Sequence, residues 1–211
     1  MVTLNKDWFK YPFYVTLHPF DGYWELKYER KGKTTLYTAF IILFLLMITN
    51  VLSKQYTGFV IHIYNPREMN SILEISYLIA PILYWCIANW SLTTLMDGKG
   101  SFKDIFNSTC FALLPLLLIN FPWIWLSNFI SIEESTFYYF FSACAVIWFL
   151  YLLFIGNMTV HEFTPTKTVV TMILTVVTMA FMAFLTLLFF SLIQQIVSFV
   201  AVIYQEITMR N

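Results

Sequence analysis

Five long runs of apolar residues dominate the 211-residue chain and constrain its fold more than any other feature. Each run has at least 17 residues, and about 17–25 residues of helix cross the hydrocarbon core of a bilayer, which is about 30 Å thick. Only 11% of the residues are charged, whereas a soluble domain needs about 25% to cover its surface. The runs lie at 36–52, 72–96, 109–130, 132–155 and 169–204. We therefore predict an all-α, polytopic integral membrane protein with five transmembrane helices.

The distribution of Lys and Arg predicts how the chain is oriented. Cytoplasmic connections carry an excess of these residues. With the N-terminus inside the cell, nine of the twelve fall on the cytoplasmic side and three on the other. We predict a cytoplasmic N-terminal segment (1–35), a five-span membrane domain (36–205) and a short extracytoplasmic tail (206–211). The protein is expected to be a multi-pass protein of the cell membrane, or of an endomembrane if it is eukaryotic. No cleavable signal is recognised ahead of the first run, so this span is expected to direct insertion.

The fifth run is too long for a simple crossing. Its 36 residues would form about 54 Å of helix, against about 30 Å of hydrocarbon. Either the helix continues out of the membrane, or it breaks near Gln194-Gln195 and its tail lies along the interface. We favour the break, because two amides are costly within lipid.

The N-terminal segment carries nine aromatic residues between positions 8 and 28. Pro19 suits the first turn of a helix, and helical spacing then places four aromatic side chains on one face: Phe20, Tyr23, Trp24 and Tyr28. Tyr and Trp favour the headgroup region of a membrane. The segment predicts an in-plane amphipathic helix. A docking helix for a cytoplasmic partner is the alternative, and the two can coexist.

The Asp97-Gly98-Lys99-Gly100 sequence, followed by Ser101, superficially suggests a phosphate-binding loop. A Walker loop needs four residues between its first glycine and the Gly-Lys pair, and a preceding strand; neither is found. Gly98 suits the left-handed position that ends a helix. Ser101 and Asp104 have the spacing of a capping box that begins the next helix. We interpret the stretch as a turn.

No catalytic, metal or cofactor site is predicted. His161-Glu162 begins like a zinc-protease motif, but Pro165 stands where the second histidine would be. His18 and His62 fall on opposite sides of the membrane in this topology. The three cysteines lack paired spacing and are interpreted as buried thiols: Cys86, Cys110 and Cys144.

Polar residues within the spans are functional candidates, because each costs free energy in lipid unless it is paired. They are Asn50, Glu74, Asn89 and Asn120. We expect Asn89 and Asn120 to form hydrogen bonds between helices, worth about 0.6–2 kcal/mol each. A channel or carrier needs several aligned polar groups, but discontinuous helices mark transporter sites, so the prolines within the spans leave that alternative open.

Four stretches together resemble the bacterial branch of the YIP (Ypt-interacting protein) family: LHPFDGYWELKYERKGK, NWSLTTLMDGKGSFKDIF, HEFTPTKTVVT and LIQQIVSFVAVIYQEI. The resemblance implies five spans, a cytoplasmic N-terminus and no catalytic activity. Eukaryotic relatives bind Rab-class GTPases and help to shape or sort vesicles, and similar bacterial proteins tend to be encoded beside ABC-type transporters. His18, Asp97, His161 and Glu162 match recurrent patches of the family and join the aromatic residues above as candidate interface residues.

These observations together predict a non-enzymatic accessory or scaffold protein that associates with a membrane partner, and the resemblance points to subunits of an ABC-type transporter. The alternatives are a stand-alone channel or carrier for a small solute, and a membrane-shaping trafficking protein of the YIP type. The formal net charge of +0 argues against nucleic acid as a partner.

Overall fold

The computed structural model describes residues 7–29, 33–58 and 70–209, and every regular element in these ranges is an α-helix. The helices are α1 (Asp7–Leu17), α2 (Pro19–Tyr28), α3 (Lys33–Tyr56), α4 (Ser71–Leu95), α5 (Phe102–Ala112), α6 (Leu114–Leu126), α7 (Ser135–His161) and α8 (Pro165–Met209). His62 lies outside the described residues, as do several of the basic residues counted above.

Five helical segments are long and apolar enough to cross a membrane, which confirms the predicted number. They are Thr35–Tyr56, Ser71–Leu95, Phe102–Leu126, Ser135–His161 and Pro165–Met209. The third span consists of two helices, α5 and α6, which meet at Leu113. Pro115 lies in the first turn of α6, where its missing N–H and fixed φ are tolerated. By contrast, Pro81 lies inside α4 without ending that helix.

The predicted break at Gln194-Gln195 is wrong, because α8 is one continuous helix of 45 residues. No glycine or proline follows Pro165 in this element, and glutamine is a good helix former. At 1.5 Å per residue the helix is about 68 Å long. Only three of its residues are buried, Thr168, Thr171 and Thr175, all near its beginning.

The N-terminal segment forms a hairpin of two helices. α2 begins with Pro19 in its first turn, as predicted, while α1 precedes it and packs back against it. The two helices approach so closely that a Cβ on Gly22 would lie 2.7 Å from the Cα of Val15, so only glycine fits there. The Tyr11 hydroxyl donates a hydrogen bond to the carbonyl of Gly22 at 2.7 Å.

The hairpin packs against one end of the helical bundle. That end contains the beginnings of α3, α5 and α8 and the ends of α4 and α7, and we call it the α2 side. The Tyr11 ring lies 5.9 Å from that of Phe111, nine residues into α5, or about 13 Å along its axis. α1 therefore reaches down the flank of the bundle. Placement in the plane of a membrane stays a prediction for this segment.

The buried core lies where the hairpin meets the spans. Its fully buried side chains include Val15, Tyr23, Ile105, Phe111, Leu152 and Ile155. α3, α5 and α7 supply most of its remaining members, whereas α8 supplies none of the fully buried apolar ones.

Candidate interaction site at the α2 side

A chain of buried amides and an imidazole joins α4 to α7. The Asn89 side chain is 1% exposed, and its Nδ2 donates to Oδ1 of Asn157 at 3.0 Å. Its Oδ1 lies 3.1 Å from Nε2 of His161, which is also 1% exposed. Asn157 and His161 are four residues apart, so they lie on the same face of α7. The helix-to-helix hydrogen bond predicted for Asn89 is therefore present.

The turn at Asp97–Gly100 closes over the His161 ring. A Cβ on Gly98 would lie 2.6 Å from His161 Nδ1, and one on Gly100 would lie 2.5 Å from Val160 Cγ1. Phe163 stacks on the same ring, with centroids 5.3 Å apart. Both glycines are thus required by close approach. The interpretation of this stretch as a turn agrees with the structure.

One detail of that prediction is wrong. The left-handed residue is Asp97, with φ 58°, and none of the described glycines has a positive φ. Aspartate tolerates the left-handed region better than most residues. This leaves Gly98 free to lie against the imidazole, where a side chain would not fit. The predicted capping box is present: Asp104 N–H donates to Ser101 Oγ, and Ser101 N–H donates to Asp104 Oδ2.

Glu162 gathers three side chains from two other parts of the chain. Its carboxylate accepts hydrogen bonds from Lys27 Nζ at 2.7 Å, from Lys99 Nζ at 2.5 Å and from the Tyr28 hydroxyl. We call these four residues the Glu162 cluster. The bonds from Lys27, Lys99 and Tyr28 lower the pKa of Glu162 to about 2, because they stabilise the charged form. The same carboxylate raises the pKa of Lys99.

Glu162 itself ends α7 in the left-handed conformation, with φ 56°. This C-cap directs the chain through a short corner into α8. Lys167, in the first turn of α8, donates to the carbonyl of Met96 at the end of α4. The cluster therefore connects α2, the Asp97–Gly100 turn and the α7–α8 corner.

Tyr23 anchors α2 on the bundle. Its side chain is 0% exposed, and a Cβ on Gly156 would lie 3.1 Å from the ring. Its hydroxyl lies 3.4 Å from the carbonyl of Ser108 in α5, to which it donates. Burial raises the pKa of Tyr23. The four aromatic residues predicted on one face of α2 are thus divided: Tyr23 points into the bundle, while Phe20, Trp24 and Tyr28 are exposed.

The other candidate residues lie in different places. His18 is exposed and stacks on Tyr14, with ring centroids 5.2 Å apart. Asn50 and Glu74 lie at the end of the bundle opposite the α2 side, where Asn50 Nδ2 donates to the Glu74 carbonyl at 3.3 Å. The Glu74 carboxylate pairs loosely with Lys54 at 3.9 Å. The Asn120 side chain is partly buried in α6 and forms none of the side-chain hydrogen bonds found among the described residues.

Sequence reasoning missed Lys27, Lys99 and Asn157 as members of this site. Asn157 could have been found from the sequence, because it lies four residues before His161 and so on the same face of a helix. The ion pairs were not visible, because Lys27 and Glu162 are 135 residues apart in the chain.

The polar groups at this site hold helices and turns together through hydrogen bonds and ion pairs. His161 Nε2 faces an amide, and its Nδ1 has no hydrogen-bond partner in the described structure. The three cysteines are free: Cys86 and Cys110 are buried and Cys144 is partly so. Within the described ranges, no three His, Cys, Asp or Glu residues are grouped so that they could hold a metal ion.

A bundle of five candidate membrane spans, with a helical hairpin fixed to one end by buried aromatic and ionic contacts, defines a multi-pass α-helical membrane protein. Its sequence matches the Yip1 domain over residues 13–188, which include the end of α1, all of α2, the Glu162 cluster and the first four spans. The chain therefore belongs to the Yip1 family. No curated protein and no solved structure matches it.

Proposed function

We propose that this protein is a non-enzymatic membrane accessory or scaffold that binds a membrane-protein partner through the exposed side of α2. The observation that carries the proposal is that Phe20 and Trp24 are exposed on a helix that is held in place by buried contacts. Phe20 is 55% exposed and Trp24 is 51% exposed, one helical turn apart on a helix whose other face is anchored by Tyr23. We call Phe20, Trp24 and Tyr28 the aromatic edge.

An anchored helix suits recognition better than a free segment. A rigid surface loses little conformational entropy on binding, and aromatic residues are enriched at the centres of protein interfaces. The Glu162 cluster holds the C-terminal end of α2, and the Gly22–Val15 contact fixes its other end against α1.

The partner class is proposed from the family resemblance. Four stretches resemble the bacterial branch, whose members tend to be encoded beside ABC-type transporters, so we propose subunits of such a transporter as the partner. The excess of Lys and Arg on the α2 side supports a cytoplasmic location for that side, with the protein in the cell membrane.

The test compares two aromatic-to-alanine substitutions. The variant Phe20→Ala/Trp24→Ala removes the exposed rings and leaves Tyr23 in place, so partner co-purification in mild detergent should fall while insertion is unchanged. Phe129→Ala is the matched control, because Phe129 is 86% exposed and lies at the opposite end of the bundle. Co-purification of the double variant at the wild-type level would overturn the proposal. Deleting residues 1–30 is a poorer test, since it also removes the buried side chains of Tyr11, Val15 and Tyr23.

A membrane-shaping function is the second candidate, and one observation favours it. α1 and α2 widen the bundle at the α2 side, with Leu17 and Phe20 exposed beside the spans. A protein that is wider in one leaflet favours curvature toward that leaflet. Purified protein should then tubulate liposomes in a manner that depends on Phe20 and Trp24. Solute flux into liposomes containing this chain alone would instead favour the channel or carrier alternative.

A further inference from the structure

The side of α2 that faces away from the bundle carries two adjacent rows of residues. The other side is buried against α1 and the spans, and its residues are Pro19, Gly22, Tyr23, Leu26 and Lys27. The aromatic edge forms one exposed row. Each of its members is followed in the chain by a carboxylate, and these form the second row: Asp21, Glu25 and Glu29. We call the second row the acidic row.

The exposed side of α2 is negatively charged. Lys27 is the one cation between positions 19 and 29, and it is buried and bonded to Glu162. Asp21 and Glu29 are exposed, and their carboxylates take part in none of the ion pairs found within the described ranges. Glu25 accepts a hydrogen bond from the Tyr14 hydroxyl on α1. Desolvation raises the pKa of Tyr14, and the charges of Glu25 and Asp21 raise it further, so the negative field reaches α1.

The aromatic edge presents ring faces beside these carboxylates. The Trp24 and Tyr28 rings are both exposed, with centroids 5.3 Å apart and planes tilted by 40°. A guanidinium or ammonium group over the face of Trp or Tyr is attracted by the ring, and the planar guanidinium of Arg also stacks on it. Neighbouring positions lie about 100° apart around a helix. One cation can therefore contact a ring of the aromatic edge and a carboxylate of the acidic row.

We propose, on the basis of the accessory function above, that the partner contacts α2 through a basic amphipathic segment. Its Arg and Lys side chains pair with the acidic row, and its apolar side chains cover the aromatic edge. The aromatic edge supplies the apolar contact area, and the acidic row decides which partner segments are accepted, because charge complementarity contributes more to specificity than to affinity.

The level of α2 along the bundle indicates which part of a membrane protein can reach it. The Tyr23 hydroxyl bonds to the carbonyl of Ser108, six residues after α5 begins, or about 9 Å along its axis. The 25 residues of this span form about 38 Å of helix, which exceeds about 30 Å of hydrocarbon by about 4 Å at each end. α2 thus lies beside the edge of the hydrocarbon. There, the segments that flank the cytoplasmic ends of transmembrane helices carry an excess of Lys and Arg.

A lipid surface and a second copy of the chain fit this side of α2 less well. Helices that bind anionic membranes carry Lys and Arg on their polar face, whereas the exposed side of α2 carries carboxylates. Anionic headgroups would be repelled by these charges. Two copies packed through α2 would place one acidic row against the other, at the same electrostatic cost.

Peptide binding to the full chain in phosphatidylcholine nanodiscs tests the proposal. The probes are two labelled helical peptides with the same apolar face, one with an Arg in each helical turn and the other with Glu. The Arg peptide should bind more tightly, and increasing salt should weaken its binding. Asp21→Asn/Glu29→Gln should raise its Kd about fivefold, as expected for two exposed ion pairs, and Asp21→Lys/Glu29→Lys should raise it at least about tenfold. Glu133→Lys/Glu206→Lys is the matched control, since it changes two exposed carboxylates at the opposite end of the bundle, and it should bind like the wild type.

Three results would overturn the proposal. They are equal binding of the two peptides, wild-type binding by Asp21→Lys/Glu29→Lys, and slower hydrogen exchange in residues 20–28 when phosphatidylserine is added to the nanodiscs, which would identify lipid as the occupant. Exchange of these residues at the wild-type rate in each variant shows that α2 stays docked. Co-purification separates this inference from the accessory function: a partner lost from Phe20→Ala/Trp24→Ala but kept by Asp21→Lys/Glu29→Lys overturns only the basic segment, and a partner kept by both overturns the two proposals together.

Discussion

Replacing Tyr23 with alanine should release α2 from the bundle. The side chain is 0% exposed and its ring covers Gly156, so the substitution leaves a cavity between α2, α5 and α7. Truncating a buried aromatic side chain to alanine costs about 3–5 kcal/mol. At 3 kcal/mol the population with α2 undocked rises about 150-fold. Most of this cost comes from the ring, because the hydroxyl hydrogen bond is long at 3.4 Å and contributes at the low end of about 0.5–1.5 kcal/mol.

Hydrogen exchange of the backbone amides in residues 20–28 measures this undocking directly, in protein reconstituted into nanodiscs. Tyr23→Ala should exchange about a hundredfold faster over these residues, and Tyr23→Phe only a few-fold faster. Trp24→Ala is the matched neighbour, since that ring is half exposed and its loss should change the free energy by less than about 0.5 kcal/mol. If Tyr23→Ala exchanges at the rate of Trp24→Ala, Tyr23 does not anchor the helix and the packing argument fails.

Three further outcomes are expected. The pKa of Glu162 is lowered to about 2 from 4.5, so its contribution to the docking of α2 is complete above about pH 4.5 and is lost as the pH falls toward 2. Hydrogen exchange in α2 should therefore become faster over this pH window in the wild type but not in Glu162→Gln. Exchange profiles with the same pH dependence in both proteins would contradict the ion-pair assignment. Gly98→Ala places a Cβ 2.6 Å from His161 Nδ1 and should lower the free energy of unfolding by about 1–3 kcal/mol through overpacking. Lys103→Ala, at an exposed position nearby, is the control and should change it by less than about 0.5 kcal/mol. Thermal unfolding in detergent compares the two variants. Asn89→Leu leaves the buried amide of Asn157 and the imidazole of His161 without their partners, at about 1–3 kcal/mol for each, and a thermal midpoint equal to that of the wild type would show that the polar chain is dispensable.

Local signals in the sequence were sufficient for the number of spans and for two of the helix starts, although α1 was not predicted. Hydropathy predicted five spans, because a run of apolar residues has few alternatives to a membrane helix. The capping box at Ser101 and the helix start at Pro19 were also predicted correctly, since each depends on residues within one turn of chain.

Predictions that depended on the surroundings were less accurate. Tyr23 and Trp24 are adjacent in the chain and share an aromatic character, and only the position of α7 decides that one is buried and the other exposed. The break at Gln194-Gln195 was predicted from the cost of amides in lipid, but the backbone there has no residue that ends a helix. Gly98 was assigned the left-handed position because glycine tolerates a positive φ. In the structure glycine is required there because the His161 ring leaves no room for a side chain.

The α7–α8 corner links the buried Asn89–Asn157–His161 hydrogen bonds to the Glu162 cluster. His161 ends α7 and points inward to Asn89, while the next residue, Glu162, turns left-handed and presents its carboxylate to Lys27 and Lys99. A left-handed conformation is unfavourable for a glutamate, and the bonds from Lys27 and the Tyr28 hydroxyl, both on α2, offset part of that cost only while α2 is docked. Undocking α2 therefore leaves the corner strained, and the shortest relaxation would shift the adjoining His161 against the Asp97–Gly100 turn. Because both glycines of that turn lie against the imidazole and Val160, with no room for a Cβ, such a shift has little space. These contacts favour an all-or-none attachment of α2, so binding of the proposed partner to the aromatic edge would affect the packing of α4 against α7.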